Sequence, residues 1–102
     1  MRIITRKRIR EFAELHPEAA EPLEKWAQIV AEAEWENLQE VRQVYPHADA
    51  VTVASGNTVT VFNLGGNKYR LIAAVHYNRQ RLYVLRLLRH AENDKDRWKE
   101  TL

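Results

Sequence analysis

Residues 62–77 read FNLGGNKYRLIAAVHY, and this stretch decides the fold. Gly65 and Gly66 interrupt an otherwise strand-like run, and glycine readily adopts the positive φ angles that tight turns between antiparallel strands require. Polar and apolar residues alternate after the glycines, which is typical of a half-buried strand. The stretch therefore predicts a β-hairpin. The turn-like segments ASGN (54–57) and YNRQ (77–80) extend it into an antiparallel meander.

The first half of the chain has a helical period instead. Apolar residues recur at spacings of three and four in RKRIREFAELHP (6–17) and in EAAEPLEKWAQIVAEAEWEN (18–37). We predict two helices, the second beginning near Ala19–Glu21, because proline is tolerated only in the first turn. A shorter helix is predicted within NLQEVRQVYP (37–46), where the proline ends it.

The two ends of the chain complete the predicted fold. The opening RIIT (2–5) predicts a short strand, and the polar tail predicts a short terminal helix anchored by Trp98. The fold class is α+β: the N-terminal strand and the C-terminal meander form a small antiparallel sheet, and a helical hairpin packs on one face. A length of 102 residues predicts one domain, 1–102.

Charge is segregated along this sequence. Residues 11–49 hold ten acids against two cations, whereas residues 50–91 hold six cations and no acid. A locally cationic surface on a chain of net charge +2 suits a polyanionic ligand. The ordinary alternative is that basic strands discourage edge-to-edge aggregation.

Strand periodicity predicts where these cations lie. Side chains at a spacing of two share a face, so Tyr69 and Leu71 face one side while Lys68 and Arg70 face the other. If the helices cover the Tyr69 side, Lys68 and Arg70 stand on the open face. In the last predicted strand, 81–90, strict alternation would put the odd-numbered side chains on one face of the sheet and the even-numbered ones on the other. Whether Arg86 and His90 join Arg70 depends on strand register, which sequence does not fix.

Composition excludes several kinds of site. The chain has no cysteine, which rules out disulfides and thiolate zinc sites, and its four histidines lack metal-ligand spacing. No apolar stretch approaches the ~20 residues of a membrane span, so we expect a cytoplasmic protein without cofactor or metal. His16, His47 and His76 are interpreted as capping, loop and strand-end residues. Core positions are predicted for three aromatic residues: Trp26, Trp35 and Tyr83.

Five segments, in order, resemble the HigB-type toxins of the RelE superfamily. They are MRIITRKRIREFAELHP, LEKW, WENLQEVRQVYPHAD, VFNLGGNKYRLIAAV and HAENDKDRWK. The resemblance covers nearly the whole chain, and FNLGGNKYRL followed by the His90 segment is its most specific part. It implies the same α+β fold that the periodicity predicts.

The resemblance implies a toxin of a type II toxin–antitoxin pair, a metal-independent endoribonuclease that cuts mRNA, usually on the translating ribosome. Its implied partners are mRNA, the ribosome and a cognate helix-turn-helix antitoxin of the HigA type, with no membrane. Two positions depart from the family pattern: Arg89 stands where threonine is usual, and Asn93 where tyrosine is usual. A catalytically weakened homologue, or a non-catalytic binder like the gyrase-poisoning ParE relatives, is therefore the alternative.

Metal-free RNA cleavage uses the 2′-hydroxyl as nucleophile and needs a base, cations around the phosphate and an acid for the leaving oxygen. Lys68 and Arg70 fit as phosphate clamps, and His90 as a proton carrier. The resemblance implies catalytic roles for Lys68, Arg70, Arg86 and His90. It implies RNA-binding roles for Asn67, Arg89 and Lys95.

Overall fold

The computed structural model describes residues 1–66, 68–89 and 98–102. Its elements in chain order are β1 (Arg2–Ile3), α1 (Arg6–Leu15), α2 (Ala20–Glu32), α3 (Leu38–Val44), β2 (Asp49–Thr52), β3 (Thr58–Leu64), β4 (Tyr69–His76), β5 (Arg81–Arg89) and α4 (Trp98–Thr101). The predicted helices and the meander are confirmed, and α2 begins where the proline rule places it. Short 3₁₀ turns, Pro17–Ala19 and Tyr77–Arg79, follow α1 and β4.

The five strands form one sheet in the order β1-β5-β4-β3-β2. Strands β2 to β5 are antiparallel neighbours, as predicted. Strand β1, however, pairs with β5 in parallel. The sheet is therefore mixed rather than wholly antiparallel. A tight turn forces two strands to run antiparallel, but no such turn joins β1 to β5, so their relative direction is free of that constraint.

The helices cover one face of the sheet and form the main core with it. Helix α2 buries one stripe: Leu23, Trp26, Ala27 and Val30. The stripe packs on sheet residues around Phe62, whose ring meets that of Trp26 edge-on at 5.5 Å between centroids. Trp35 is also buried, but the core prediction for Tyr83 is wrong. Tyr83 is half-buried on the other face and meets the ring of His76 at 5.4 Å.

A second, smaller core lies on the face opposite the helical hairpin. Its buried members are Val53, Val59, Val61, Ile72 and Trp98. The Lys99 carbonyl of α4 accepts a hydrogen bond from the Ala54 N–H at 2.9 Å, which ties this helix to the loop between β2 and β3. The face expected to be open is thus partly covered, and Trp98 is only 6% exposed.

A β-bulge changes the facing of residues along β5. Ile72 lies opposite Arg86 and the next residue, Ala73, opposite Val84, which leaves Leu85 as the extra residue. Strict alternation over 81–90 is therefore wrong. Leu87 packs on the helical side together with Leu82 and Val84, and Arg86 and Leu88 face the other side.

Two tyrosines on the helical side, Tyr45 and Tyr77, are partly buried. Burial raises the pKa of Tyr45 and of Tyr77 above the ordinary value of 10.0, and a hydrogen bond with Thr60 opposes the rise for Tyr77. Among the described residues no helix is both long enough and apolar enough to cross a membrane.

Candidate active site

Arg70 is fixed on the face opposite the helical hairpin by its neighbours in β4. Gly65 and Gly66 adopt φ angles of +61° and +63° and turn the chain from β3 into β4. Tyr69 and Leu71 are then buried against the helices, so Arg70 points to the other side. It lies opposite Asn63 of β3 and Leu88 of β5 and is half-buried.

A cavity of about 240 Å³ adjoins Arg70, and we call it the Arg70 cavity. It lies between strands β2, β3 and β4, the loop before β2, and α4. The described residues that line it are His47, Asp49, Val51, Val61, Asn63, Arg70, Trp98 and Lys99. One guanidinium, one ammonium and one imidazole thus meet a mostly buried indole. The Lys99 ammonium lies 5.7 Å from the centre of the Trp98 ring.

Asn63 contributes a polar group that suits a ligand. Its Oδ1 atom is buried and accepts no hydrogen bond from the described residues. Buried polar atoms in folded proteins are nearly always hydrogen-bonded, so an unsatisfied acceptor in a cavity wall is a natural contact for a ligand O–H or N–H.

The cavity also contains a carboxylate, which the acid-free run of residues 50–91 did not predict. Asp49 stands one residue before that run, and β-sheet register sets it opposite Val61 on the cavity side. Its Oδ1 atom lies 3.2 Å from Nη2 of Arg42 and accepts the Ala50 N–H at 3.0 Å. Asp49 thus pairs with Arg42, while Arg70 and Lys99 are the cations among the described residues that line the cavity.

Two other predicted cations lie outside this cavity. Lys68 is exposed in the turn that precedes β4. Arg86 shares the sheet face of Arg70, but its Nη1 atom donates to the Leu85 carbonyl at 2.8 Å and its side chain lines a separate cleft against α1. Neither Lys68 nor Arg86 therefore lines the Arg70 cavity.

The remaining predicted site residues have different outcomes. Arg89 is exposed at the end of β5 and lies opposite Tyr69. Asn67, His90 and Lys95, for which site roles are predicted, lie outside the described residues, as does the departure at Asn93. Their proposed roles stay predictions.

His47 is one of the cavity residues that sequence reasoning missed. It was interpreted as a loop residue after Pro46, yet it precedes a strand at the right parity: His47, Asp49 and Val51 alternate, and all three line the cavity. That period of two could have revealed it. By contrast, His16 packs against Phe12 at 4.5 Å on the helical side.

Within residues 1–66, 68–89 and 98–102, no group of three or more His, Cys, Asp or Glu residues is placed to hold a metal ion. What the cavity offers is cationic hydrogen-bond donors, an imidazole and an unsatisfied carbonyl acceptor. This combination suits a phosphate ester whose neighbouring hydroxyl groups need hydrogen-bond partners.

Comparison with known families agrees with this chemistry. Residues 19–96 match the sequence model of the HigB toxin family, described as the RelE-like toxic component of a toxin-antitoxin system. The chain belongs to the HigB toxin family.

Curated members of the family are similar over nearly their whole length. The mRNA interferase toxin HigB of Escherichia coli strain K12 is 28% identical over 94 residues, which cover 92% of this chain and 88% of that protein. The mRNA interferase HigB of Escherichia coli O6:H1 is 30% identical over 95 residues, covering 93% and 90%. The mRNA interferase HigB of Shigella flexneri is 28% identical over 94 residues, with the same 92% and 88% coverage as the K12 protein.

Proposed function

We propose that this HigB-family chain is the toxin of a toxin–antitoxin pair and acts as a metal-independent endoribonuclease on mRNA. Its family and the names of its curated relatives support the class of activity. The observation that links the proposed activity to particular residues is the Arg70 cavity. There the guanidinium of Arg70, the ammonium of Lys99 and the imidazole of His47 line a space large enough for part of a nucleotide.

The proposed reaction uses the RNA's own 2′-hydroxyl. A base removes the proton from O2′ as the O2′–P bond forms, and the P–O5′ bond breaks as an acid delivers a proton to O5′. The products are a 2′,3′-cyclic phosphate and a 5′-hydroxyl. Arg70 stabilises the negative charge that builds on the phosphorus-bound oxygens, and Lys99 adds a second positive charge.

Two proton carriers are needed, and His47 is proposed as one of them. It is the described histidine that lines the Arg70 cavity. His90 remains the proposed partner on the basis of the family resemblance. Trp98 is too deeply buried to serve as an open stacking platform, so its proposed role is to form a rigid wall of the site.

The outer cations are proposed to hold the RNA on either side of the scissile bond. Lys68, Arg86 and Arg89 are half-buried or exposed and carry the charge that phosphate contacts require. Asn67 and Lys95 are proposed as further RNA contacts. Cleavage on the translating ribosome, a helix-turn-helix antitoxin of the HigA type and a cytoplasmic location belong to the same proposal.

Induced expression in a bacterial host tests the proposal. The wild-type chain should arrest growth and shorten mRNA half-lives, and co-expression of its cognate antitoxin should reverse both effects. Arg70→Ala should lose both effects. Arg79→Ala, which removes an exposed arginine from the turn before β5, should behave as wild type. Growth arrest by Arg70→Ala with normal mRNA half-lives would instead favour the non-catalytic binder.

A further inference from the structure

A second feature of the molecule lies away from the Arg70 cavity, between α1 and β5. A cleft of about 420 Å³ separates the helix from the strand, and we call it the α1–β5 cleft. Its lining includes Arg8, Glu11, Phe12, Leu15, Arg86 and Leu87. It combines cationic and apolar groups, which the proposed cleavage reaction does not use as a set.

Two guanidinium groups converge in this cleft. The Leu85 carbonyl accepts a hydrogen bond from Nη1 of Arg8 at 2.6 Å and another from Nη1 of Arg86 at 2.8 Å. The two Nη1 atoms are thus at most two hydrogen-bond lengths apart, and their like charges repel. Each guanidinium has five N–H donors, and the bond to Leu85 uses one of them. A carboxylate bound between the two groups would remove the repulsion.

The charge distribution of α1 favours an anionic partner as well. Its first five residues include Arg6, Lys7, Arg8 and Arg10, its first turn has no acid, and the N-cap residue Thr5 makes no side-chain capping hydrogen bond. Cations at this end of a helix oppose the helix dipole. Glu11 offsets little of this charge in the cleft, because it pairs with Lys7 at 3.7 Å.

The apolar part of the cleft distinguishes a protein from RNA as the partner. Leu15 lines the cleft and is 77% exposed, which is high for a large apolar side chain. An RNA backbone gains little from an exposed leucine, whereas a protein side chain can cover it. Strand β1 pairs with Arg81 and Leu82 of β5. Beyond them, side chains of Thr5, Arg8 and Arg86 bond the described outer edge of β5.

We propose that the antitoxin docks in the α1–β5 cleft through a segment that carries carboxylates and at least one apolar side chain. The inference rests on the proposed function, which supplies the antitoxin as a partner. The carboxylates meet Arg8 and Arg86, and the apolar side chain covers Leu15. Because Arg86 is also a proposed RNA contact, an antitoxin bound here competes with RNA without filling the Arg70 cavity.

The experiment measures antitoxin binding by purified proteins and growth in parallel. The antitoxin probe is the protein encoded by the gene adjacent to this one. Leu15→Glu should arrest growth like wild type and resist rescue by the antitoxin. It should also raise the dissociation constant of the toxin–antitoxin complex at least tenfold. Arg8→Glu should weaken binding at least tenfold in the purified assay. Val44→Glu is the matched control, since Val44 is an exposed apolar residue on α3, and it should bind and be rescued as wild type.

Normal antitoxin affinity of both Leu15→Glu and Arg8→Glu overturns the inference. So does loss of RNA cleavage by Leu15→Glu with unchanged antitoxin affinity, which would make the cleft an RNA surface. Loss of a concentration-dependent self-association in Leu15→Glu, with antitoxin affinity intact, would assign the cleft to a second copy and overturn it too. Leu15→Gln serves as a milder variant if circular dichroism shows that the glutamate unfolds α1. A wild-type chain that neither arrests growth nor cuts RNA refutes the proposed function, while the binding assay still reports on the cleft.

Discussion

At the scale of single residues, Arg70 owes its position to the two residues beside it. Tyr69 and Leu71 are committed to the helical core, and a strand can only present the residue between them to the other face. Asn63 lies directly opposite on β3 and adds an unsatisfied acceptor to the same cavity. The proposed phosphate clamp is thus held by backbone pairing and not by a flexible loop, which favours a fixed geometry for the transition state.

Replacing Arg70 with alanine should lower the rate of RNA cleavage about a hundredfold to a thousandfold, because a donor to developing negative charge is lost. Arg70→Lys should fall between wild type and Arg70→Ala, since lysine keeps the charge but loses the bidentate geometry. Single-turnover cleavage of a ribosome-bound message measures both rates. Thermal melts should accompany it, because Arg70 is half-buried. A folded Arg70→Ala protein that cuts at the wild-type rate would remove Arg70 from the mechanism.

Replacing His47 with glutamine should lower the cleavage rate about a hundredfold to ten-thousandfold, as expected when a general acid or base is removed. His76→Gln is the control, because His76 packs against Tyr83 and does not line the cavity. The measurement is the single-turnover rate against pH. Equal rates and equal profiles for wild type and His47→Gln would exclude His47 as a proton carrier.

At the scale of elements, turns and a bulge decide which side chains share a face. The β3–β4 turn depends on two glycines with positive φ, and they face different surroundings. A Cβ added at Gly65 would lie 3.2 Å from Cδ2 of the Tyr69 ring, whereas one added at Gly66 would meet no atom of the other described residues within 4 Å. Gly65 therefore lies at the contact between the β3–β4 turn and the Tyr69 ring, whose burial orients β4.

Gly65→Ala should destabilise the protein more than Gly66→Ala. Both variants place an L-residue in the left-handed region, at roughly 1–2 kcal/mol each. Gly65→Ala must also displace the buried Tyr69 ring, and this should add a further loss through repacking. Urea denaturation of the two variants, compared by their free energies of unfolding, provides the test. Equal losses for the two substitutions would show that the Tyr69 contact has no energetic weight.

Local sequence patterns predicted the helices, strands and turns well, but they could not predict contacts between residues far apart in the sequence. The helical stripe of α2 and the glycine turn follow from spacing and φ preference, which are properties of neighbouring residues. The extra residue at Leu85 does not, because a bulge is settled by how β4 and β5 pack together. For the same reason, sequence reasoning found Arg70 but not its cavity partners. His47 and Lys99 are separated from Arg70 by more than twenty residues and meet it only in the fold.

At the scale of the whole molecule, the sheet separates two environments. The helical side holds the larger core, and the other side holds the smaller core closed by Trp98 together with the Arg70 cavity. Covering part of the second face with α4 turns a flat sheet surface into a cavity with walls. A concave site excludes more water from a bound phosphate, and hydrogen bonds to charge are stronger in that setting.

The stability of the whole molecule should fall at alkaline pH. Burial raises the pKa of Tyr45 in the folded state above its ordinary value of 10.0, so above about pH 10 the unfolded chain loses this proton more readily. The folded state is then disfavoured as pH rises, and stability is fully retained below that range. Tyr45→Phe should have a smaller drop in melting temperature between pH 9 and about pH 11 than wild type. An identical drop in the two proteins would mean that Tyr45 does not contribute to alkaline unfolding.

The measurement that tests the central claim most directly is the mapping of mRNA ends after brief induction of the chain. RNA carrying a 5′-hydroxyl is captured by ligation and sequenced, because the proposed reaction leaves that end on the downstream fragment. Wild type should produce new 5′-hydroxyl ends within coding sequences, Arg79→Ala should produce the same ends, and Arg70→Ala should produce almost none. Unchanged ends after induction of wild type, or equal ends from a folded Arg70→Ala protein, would contradict the assignment of RNA cleavage to the Arg70 cavity.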